Sequence, residues 1–312
     1  MSRRGASLED TSLAFYRAWH IAVGAKHGLL LALRDAALAP ETLAARLHLD
    51  EAAVADWCRG AWALGLLDRR GGRYRLAPEH AETLGEPASA RYMGHHFEYL
   101  AAKSLHFEAL DARVRGEPTK DVDLRDVYAI ATQWDHLAFF ELVLPKEPAL
   151  ARALDRGIDV LDLGAGHGRW ARELLRRYPR SRVVASDLDL APLDGLDARH
   201  VRDLPARAFD LVFLGEVLAS AKEPEEVLRT AHRALRPGGR VVALEGLAPE
   251  GTPRSWGERL VLAMQLDFGL DGSRYLTLRQ ARAAFRAAGF PRVGARDLGG
   301  SLFALQARKP QT

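Results

Sequence analysis

The segment VLDLGAGHGRW, residues 160–170, carries a short apolar run into three glycines, Gly164, Gly166 and Gly168, and then into a helical pattern. A glycine-rich turn after a strand lets backbone approach a ligand closely, and the ligand then rests near the N-terminus of the following helix. The dinucleotide fingerprint GxGxxG is broken, because Arg169 stands where its last glycine belongs. Taken alone, GxGxG also fits a purely structural turn. A second chemistry-bearing residue is Asp187 in VVASDLD, at the end of the next apolar run. A carboxylate there can accept hydrogen bonds from both ribose hydroxyls, which identifies a nucleoside but not the rest of the ligand. Asp189 competes for the role. Asp203, in VRDLPARAFD, is placed to meet an adenine amino group, although a loop-capping aspartate accounts for it equally well. Pro237, Gly238 and Gly239 in LRPGGRVVALE mark a turn ahead of another strand.

These residues need a framework, and the second half of the chain supplies one. From Ile158 onward, short runs rich in β-branched residues (IDVLDL, SRVVAS, FDLVFL, GRVVALE) alternate with longer helical patterns, which implies parallel βαβ units. The last two runs, RVGARDL and SLFALQAR, lie too close for a crossover helix and are expected to form an antiparallel hairpin at the sheet edge. The first half reads differently. Thr11 to about Ala37 has helical spacing, and residues 39–79 read as helix, tight turn, helix and two strands joined at Gly71-Gly72, a winged-helix outline. Its second helix carries Glu51, Asp56, Trp57 and Trp62 where nucleic-acid recognition needs basic and amide side chains. Acidic and large apolar residues suit burial or dimer contact, so nucleic acid is not the expected partner. Residues 91–150 are helical again and rich in histidine and aromatics.

Composition agrees with this organisation. At 312 residues, 48% hydrophobic and 27% charged, the chain is long enough for two cores, and its net charge of +3 is weak reason to expect a polyanion. The single cysteine, Cys58, can form no internal disulfide, which suits a reducing compartment. No apolar run approaches the roughly 20 residues that span a bilayer, and MSRRGASLED lacks an apolar core after its arginines. A soluble, cytoplasmic protein is expected.

In this order, the glycine loop, the acids at 187 and 203 and the terminal hairpin resemble the class I S-adenosylmethionine-dependent methyltransferases. The segments AVGAKHGLLLALRD, LAARLHLDEAAVADWCRGAWALGLLDRRGGRYRLAPE and RQARAAFRAAGF extend the likeness to the small-molecule O-methyltransferases that include the caffeate and acetylserotonin enzymes. The resemblance implies a Rossmann-like seven-stranded α/β sheet ending in an antiparallel hairpin and preceded by a mostly α winged-helix domain. It divides the chain into a winged-helix dimerisation domain (1–90), a helical linker contributing to the substrate pocket (91–150) and a catalytic domain binding S-adenosyl-L-methionine (151–312). It also implies a homodimer, a small-molecule acceptor, and cofactor contacts from Asp162, Gly164, Gly166, Gly168, Asp187, Leu188, Asp203 and Leu204.

One departure matters chemically. The family's general base is a histidine in a segment of the form LHDW, and here that stretch is EVLASAKEPEE, with Ala219 at the base position and no histidine between His200 and His232. Of the two acids that flank the base, one corresponds to Glu245, and the other falls near Ser273 and Arg274, where no acid stands. A general base contributes roughly 10²- to 10⁴-fold, whereas in-line positioning contributes roughly 7 to 11 kcal/mol, so transfer without the histidine is feasible for an acidic acceptor. Candidate substitutes are His95, His96, Tyr99 and His106, with Tyr128, Trp134 and His136 following. Interdomain packing, or the role of an ordinary satisfied histidine, is the commoner use for any one of them. His95 and His96 are adjacent on a helical pattern and point apart, so no metal is expected. Loss of the base also keeps in view a family member that binds the cofactor for hydroxylation or decarboxylation, and a cofactor-sensing regulator.

Overall fold

The computed structural model describes residues 7–89, 91–117, 133–270 and 272–311, and it separates them into two compact units. One unit holds residues 7–107 with 133–134, and the other holds 108–117 with 135–311. The division therefore falls inside the 91–150 segment instead of at its ends.

In the first unit, α1 (Leu8–Lys26) starts at a reciprocal cap between Ser7 and Asp10 and is followed by α2 (Leu29–Asp35). Next come α3 (Pro40–Leu47) and α4 (Glu51–Ala63), the latter begun by the Asp50 carboxylate accepting the Ala53 N–H at 2.8 Å. Strands β1 (Leu67–Arg70) and β2 (Arg73–Leu76) pair antiparallel across Gly71 and Gly72, which both adopt positive φ, as a two-residue hairpin turn of this kind demands. Helix α4 buries Val54, Trp57, Cys58 and Ala61, and the Trp57 indole N–H donates to the His20 carbonyl at 2.9 Å. Of the two tryptophans that argued against a groove-reading helix, Trp57 is thus a core residue, whereas Trp62 is exposed. After α5 (Ala81–Gly85), α6 (Gly94–Ser104) packs along α1 and buries Tyr99, which is why residues 94–104 belong with this unit.

The second unit takes in most of α7 (Phe107–Val114) and, at its start in the later chain, the end of α8 (Gln133–Ala138). A π-helical turn, Phe139–Val143, leads to α9 (Pro148–Arg156). Strand β3 (Asp159–Leu163), α10 (Arg169–Arg177), β4 (Arg182–Asp187), β5 (Asp197–His200), β6 (Phe209–Gly215), α11 (Pro224–Ala234) and β7 (Leu235–Gly246) follow. Helices α12 (Trp256–Phe268) and α13 (Leu278–Ala287) precede the hairpin of β8 (Val293–Gly299) and β9 (Leu302–Arg308). The sheet order is β5-β4-β3-β6-β7-β9-β8, parallel through β7, with β9 antiparallel to both neighbours. The predicted terminal hairpin is present, with β8 at the edge. Strand β5, whose sequence is DARH, has no apolar run and escapes a reading based on hydrophobicity. Pro237–Gly239 form an irregularity within β7, where register with β6 slips between Phe209 and Leu211.

Aromatic packing fixes the glycine segment against the sheet. Trp170, in the first turn of α10, is fully buried and stacks on Phe213 of β6 with centroids 4.0 Å apart and planes 6° apart. Phe139 meets both rings edge-on at 5.2 and 5.3 Å. Such pairs add about 0.5–1.5 kcal/mol each beyond their buried area.

Candidate cofactor cleft

In an open parallel sheet, ligands settle beyond the carboxyl ends of the strands where the strand order reverses. Here the chain runs outward from β3 to β4 and β5 on one side and from β6 to β7 on the other, so the reversal lies between β3 and β6. A cleft of about 460 Å³ opens at that edge, lined by Gly164, Ser186, Asp187, Leu188, Glu216 and Val217 among others. Its size is in the range of small-molecule sites.

The glycine loop is tied to the end of β4 by backbone and carboxylate together. The N–H groups of Gly164 and Ala165 donate to the Ser186 carbonyl at 2.8 and 3.0 Å. Asp187 Oδ2 accepts the Gly166 N–H and Oδ1 accepts the Leu188 N–H, both at 2.7 Å. Each oxygen keeps lone-pair capacity for a further donor. Gly164 sits at φ 78°, and a Cβ there would lie 2.6 Å from Val217 Cγ2, so the close crossing of loop and β6 segment requires glycine. Gly166, at φ 52°, faces open space, which leaves its backbone approachable. Gly168 begins α10 in the left-handed conformation.

Asp162 is buried beneath this loop, with the Ala171 N–H as a partner, while its Oδ2 has none. Burial, assisted by the Asp187 charge and opposed by that amide, pushes its pKa up to about 8. Asp162 therefore supports the loop from within. Asp189 caps the Ala191–Leu193 turn through the Ala191 N–H at 3.0 Å, and of the two aspartates at this strand end Asp187 lines the cleft. Leu188 is exposed at the rim.

Asp203, Leu204, Glu245 and the group His95, His96 and Tyr99 are not among the residues that line this cleft. Asp203 ends a 3₁₀ turn with its side chain exposed, and the residue of that turn lining the cleft is Val201. Leu204 is a core residue packed among the strands and α11. Glu245 is 1% exposed, and its Oε1 accepts the N–H groups of Val217 and Leu218 at 3.0 and 2.9 Å, so it positions the loop after β6 and is not a group facing the cleft. His95, His96 and Tyr99 belong to the first unit: His95 lies 3.5 Å from Glu98, His96 is tilted against Tyr99, and none is among the cleft-lining residues. His106 is in that unit too, whereas Tyr128 and the Trp134 side chain lie outside the described residues.

Around the missing histidine, the geometry holds without the chemistry. Ala219 is buried and its carbonyl accepts the Arg274 N–H at 2.8 Å, so the 273–274 segment does meet the base position, bringing no acid or imidazole. The residue that sequence reasoning missed is Glu216, directly after β6. It is held at φ 56°, uncommon for a side chain of its size, with its N–H bonded to the Leu244 carbonyl at 2.8 Å. Its Oε1 accepts the Gly246 N–H at 2.6 Å, and burial pushes its pKa up to about 7. Asp135 and Glu245 are pushed upward as well, by burial first and then by the charge of Glu216. His136 lies against Gly215, with its Nδ1 unpartnered, and burial next to the Arg169 charge lowers its pKa to about 4. The only hint in the sequence was that Glu216 follows an apolar strand directly.

Residues 134–293, just over half of the chain, match the methyltransferase domain family, and the chain belongs to it. Its sequence is similar to the acetylserotonin O-methyltransferase of Rattus norvegicus, at 32% identity over 167 residues, covering 48% of this chain and 38% of that protein. It is also similar to the demethylmenaquinone methyltransferase of Chlamydia trachomatis, at 31% identity over 114 residues, covering 32% of this chain and 50% of that protein. The chain thus spans about half or less of the length of these curated relatives. Among solved structures, human N-acetylserotonin methyltransferase in complex with S-adenosylmethionine superposes with a TM-score of 0.71 at 19% identity, over 99% of this chain and 100% of that one. An O-methyltransferase family protein from Burkholderia thailandensis gives a TM-score of 0.65 at 21% identity, over 98% and 99%. These likenesses extend the shared fold across both units.

Proposed function

We propose that this chain transfers a methyl group from S-adenosyl-L-methionine to a small-molecule acceptor, most simply the oxygen of an aromatic or polyketide-like compound. The observation that carries the reading is the paired engagement of Asp187: with one amide on each oxygen, its carboxylate is oriented for a vicinal diol such as a ribose. The cleft suits a nucleoside without phosphates. Gly166 offers an open backbone, Leu188 an apolar rim for a base, and Ser186 a buried hydroxyl with no partner, while no cluster of basic side chains lines the described walls. Asp187 would hold the ribose and the Gly164–Gly168 loop the amino-acid portion. When bound, the cofactor supplies an electrophilic methyl on a sulfonium. The chain's own contribution is to fix that group, exclude water and accept the acceptor's proton.

Incubating the protein with methyl-labelled cofactor and a panel of phenols, hydroxyquinones and amines tests this reading. Label in an extracted small molecule, one methyl per acceptor, is expected; retention of all label in the cofactor across the panel contradicts it.

The first unit is assigned a dimerising role as a winged helix. Support comes from α1, which exposes Leu13, Phe15, Tyr16, Trp19 and Val23. An apolar surface of that kind marks an interaction site. Light scattering should give the mass of two chains, and Phe15→Ser with Trp19→Ser should halve it; an unchanged mass in the double variant rejects the assignment.

A further inference from the structure

Resting on the methyltransferase reading, we infer that Glu216 is the general base of this site, taking the place of the histidine absent at Ala219. The sheet supplies the first argument. Asp187 ends β4 and marks the ribose end of the cleft, Gly164 directly follows β3 in the middle, and Glu216 directly follows β6 on the far side. With neighbouring strands about 4.8 Å apart, Glu216 stands roughly 10 Å across the sheet from Asp187, beyond the nucleoside. Its side chain reaches on towards β7, where Oε1 takes the Gly246 N–H, so the carboxylate lies on the side of β6 away from Asp187.

The second argument is the company it keeps. Glu245 on β7 and Asp135 on α8 both interact with it electrostatically, and Glu245 Oε2 is buried with no partner. Like charges so placed cannot all ionise together, so Asp135 and Glu245 are pushed towards their protonated forms, while Glu216 alone of the three lines the cleft, where a proton can leave. His136, on α8 beside Arg169, is neutral above pH 5 and too weak a base to compete. Burial places the Glu216 carboxyl near 7, where a base working at neutral pH is most effective. The strained backbone at Glu216 is of the kind that collects at functional sites.

In the step itself, the acceptor's O–H bond breaks and a bond from that hydrogen to Glu216 Oε2 forms. The oxygen keeps the electron pair and becomes the nucleophile, and the proton later leaves Glu216 for solvent. Oε1 stays bonded to Gly246 throughout.

Two readouts test the assignment. Isotope-edited infrared titration of protein labelled at glutamate carboxyls should show a protonated-carboxyl band lost with a midpoint near pH 7 in the wild type and missing in Glu216→Gln, a variant that keeps the Gly246 hydrogen bond. Methyl transfer to a series of phenols should fall roughly 10²- to 10⁴-fold in Glu216→Gln for a weakly acidic phenol. It should fall far less for a nitrophenol already ionised in solution, with S-adenosylhomocysteine affinity kept within about threefold. Glu216→Asp should retain part of the rate. A wild type with no carboxyl titrating near neutrality, or a Glu216→Gln variant that loses equal activity on both phenols, overturns the assignment. A wild type that neither binds S-adenosylhomocysteine nor transfers methyl overturns the parent reading as well, whereas binding and transfer unaffected by Glu216→Gln overturn this inference alone.

Discussion

Asp187→Ala is expected to weaken S-adenosylhomocysteine binding by at least 100-fold while leaving the fold intact. Both carboxylate oxygens are already aligned by amides, Oδ2 by Gly166 and Oδ1 by Leu188. Two ribose hydroxyls donating to an ionised acceptor contribute about 1.5–3 kcal/mol each, and each 1.4 kcal/mol is tenfold in affinity. Loss of the pair therefore exceeds two orders of magnitude. Alanine also releases the Gly166 amide, so the loop loses an anchor. Asp187→Asn should fall between, because its amide keeps one acceptor oxygen but turns an –NH₂ towards a backbone donor. Since Asp187 is only half-buried at a strand end, thermal stability of the unliganded variant should change little. Affinity within about threefold of wild type would remove Asp187 from the ribose role.

Trp170→Ala carries the largest expected effect on stability, about 3–5 kcal/mol. The side chain is fully buried, stacked on Phe213 and flanked by Phe139 and Phe140, and four packed rings leave little freedom to collapse into the vacated space. For a unit of this size, about 2–4 °C of melting temperature follows each kcal/mol, which gives a fall of roughly 6–20 °C. Trp170→Phe should cost far less, because the indole Nε1 has no hydrogen-bond partner to lose. The position also links core to site: Trp170 stands two residues after Gly168, so the cavity loosens the turn that carries the glycine loop. Binding of S-adenosylhomocysteine by Trp170→Ala should weaken about tenfold even where the variant remains folded. A melting temperature within 3 °C of wild type would show that the aromatic cluster is not what holds α10 to the sheet.

The glycine loop, Asp187, the parallel strands and the terminal hairpin were legible in the sequence because each has a local cause. Buried strands need apolar runs, tight turns need glycine, and consecutive strands without room for a helix must pair antiparallel. Strand β5 was not legible because an edge strand of sequence DARH buries little and so has no hydrophobic signature. Glu245 was read as a flanking catalytic acid because its place near the end of β7 was clear, but the direction of its side chain depends on the Val217 and Leu218 amides that the fold brings to it. Glu216 was missed for the converse reason: a lone glutamate after a strand is ordinary until left-handed backbone and the Gly246 bond turn it into the cleft wall. The linker histidines looked like one cluster along the chain, yet the fold assigns His95 and His96 to one unit and His136 to the other. Linear proximity could not reveal that split.

The most direct measurement is a calorimetric titration of the wild-type chain with S-adenosylhomocysteine. Saturable binding at one site per chain, abolished or weakened at least 100-fold by Asp187→Ala, is the predicted result. No detectable binding by the folded wild-type protein would contradict the claim that the cleft between Gly164, Asp187 and Glu216 is a cofactor site.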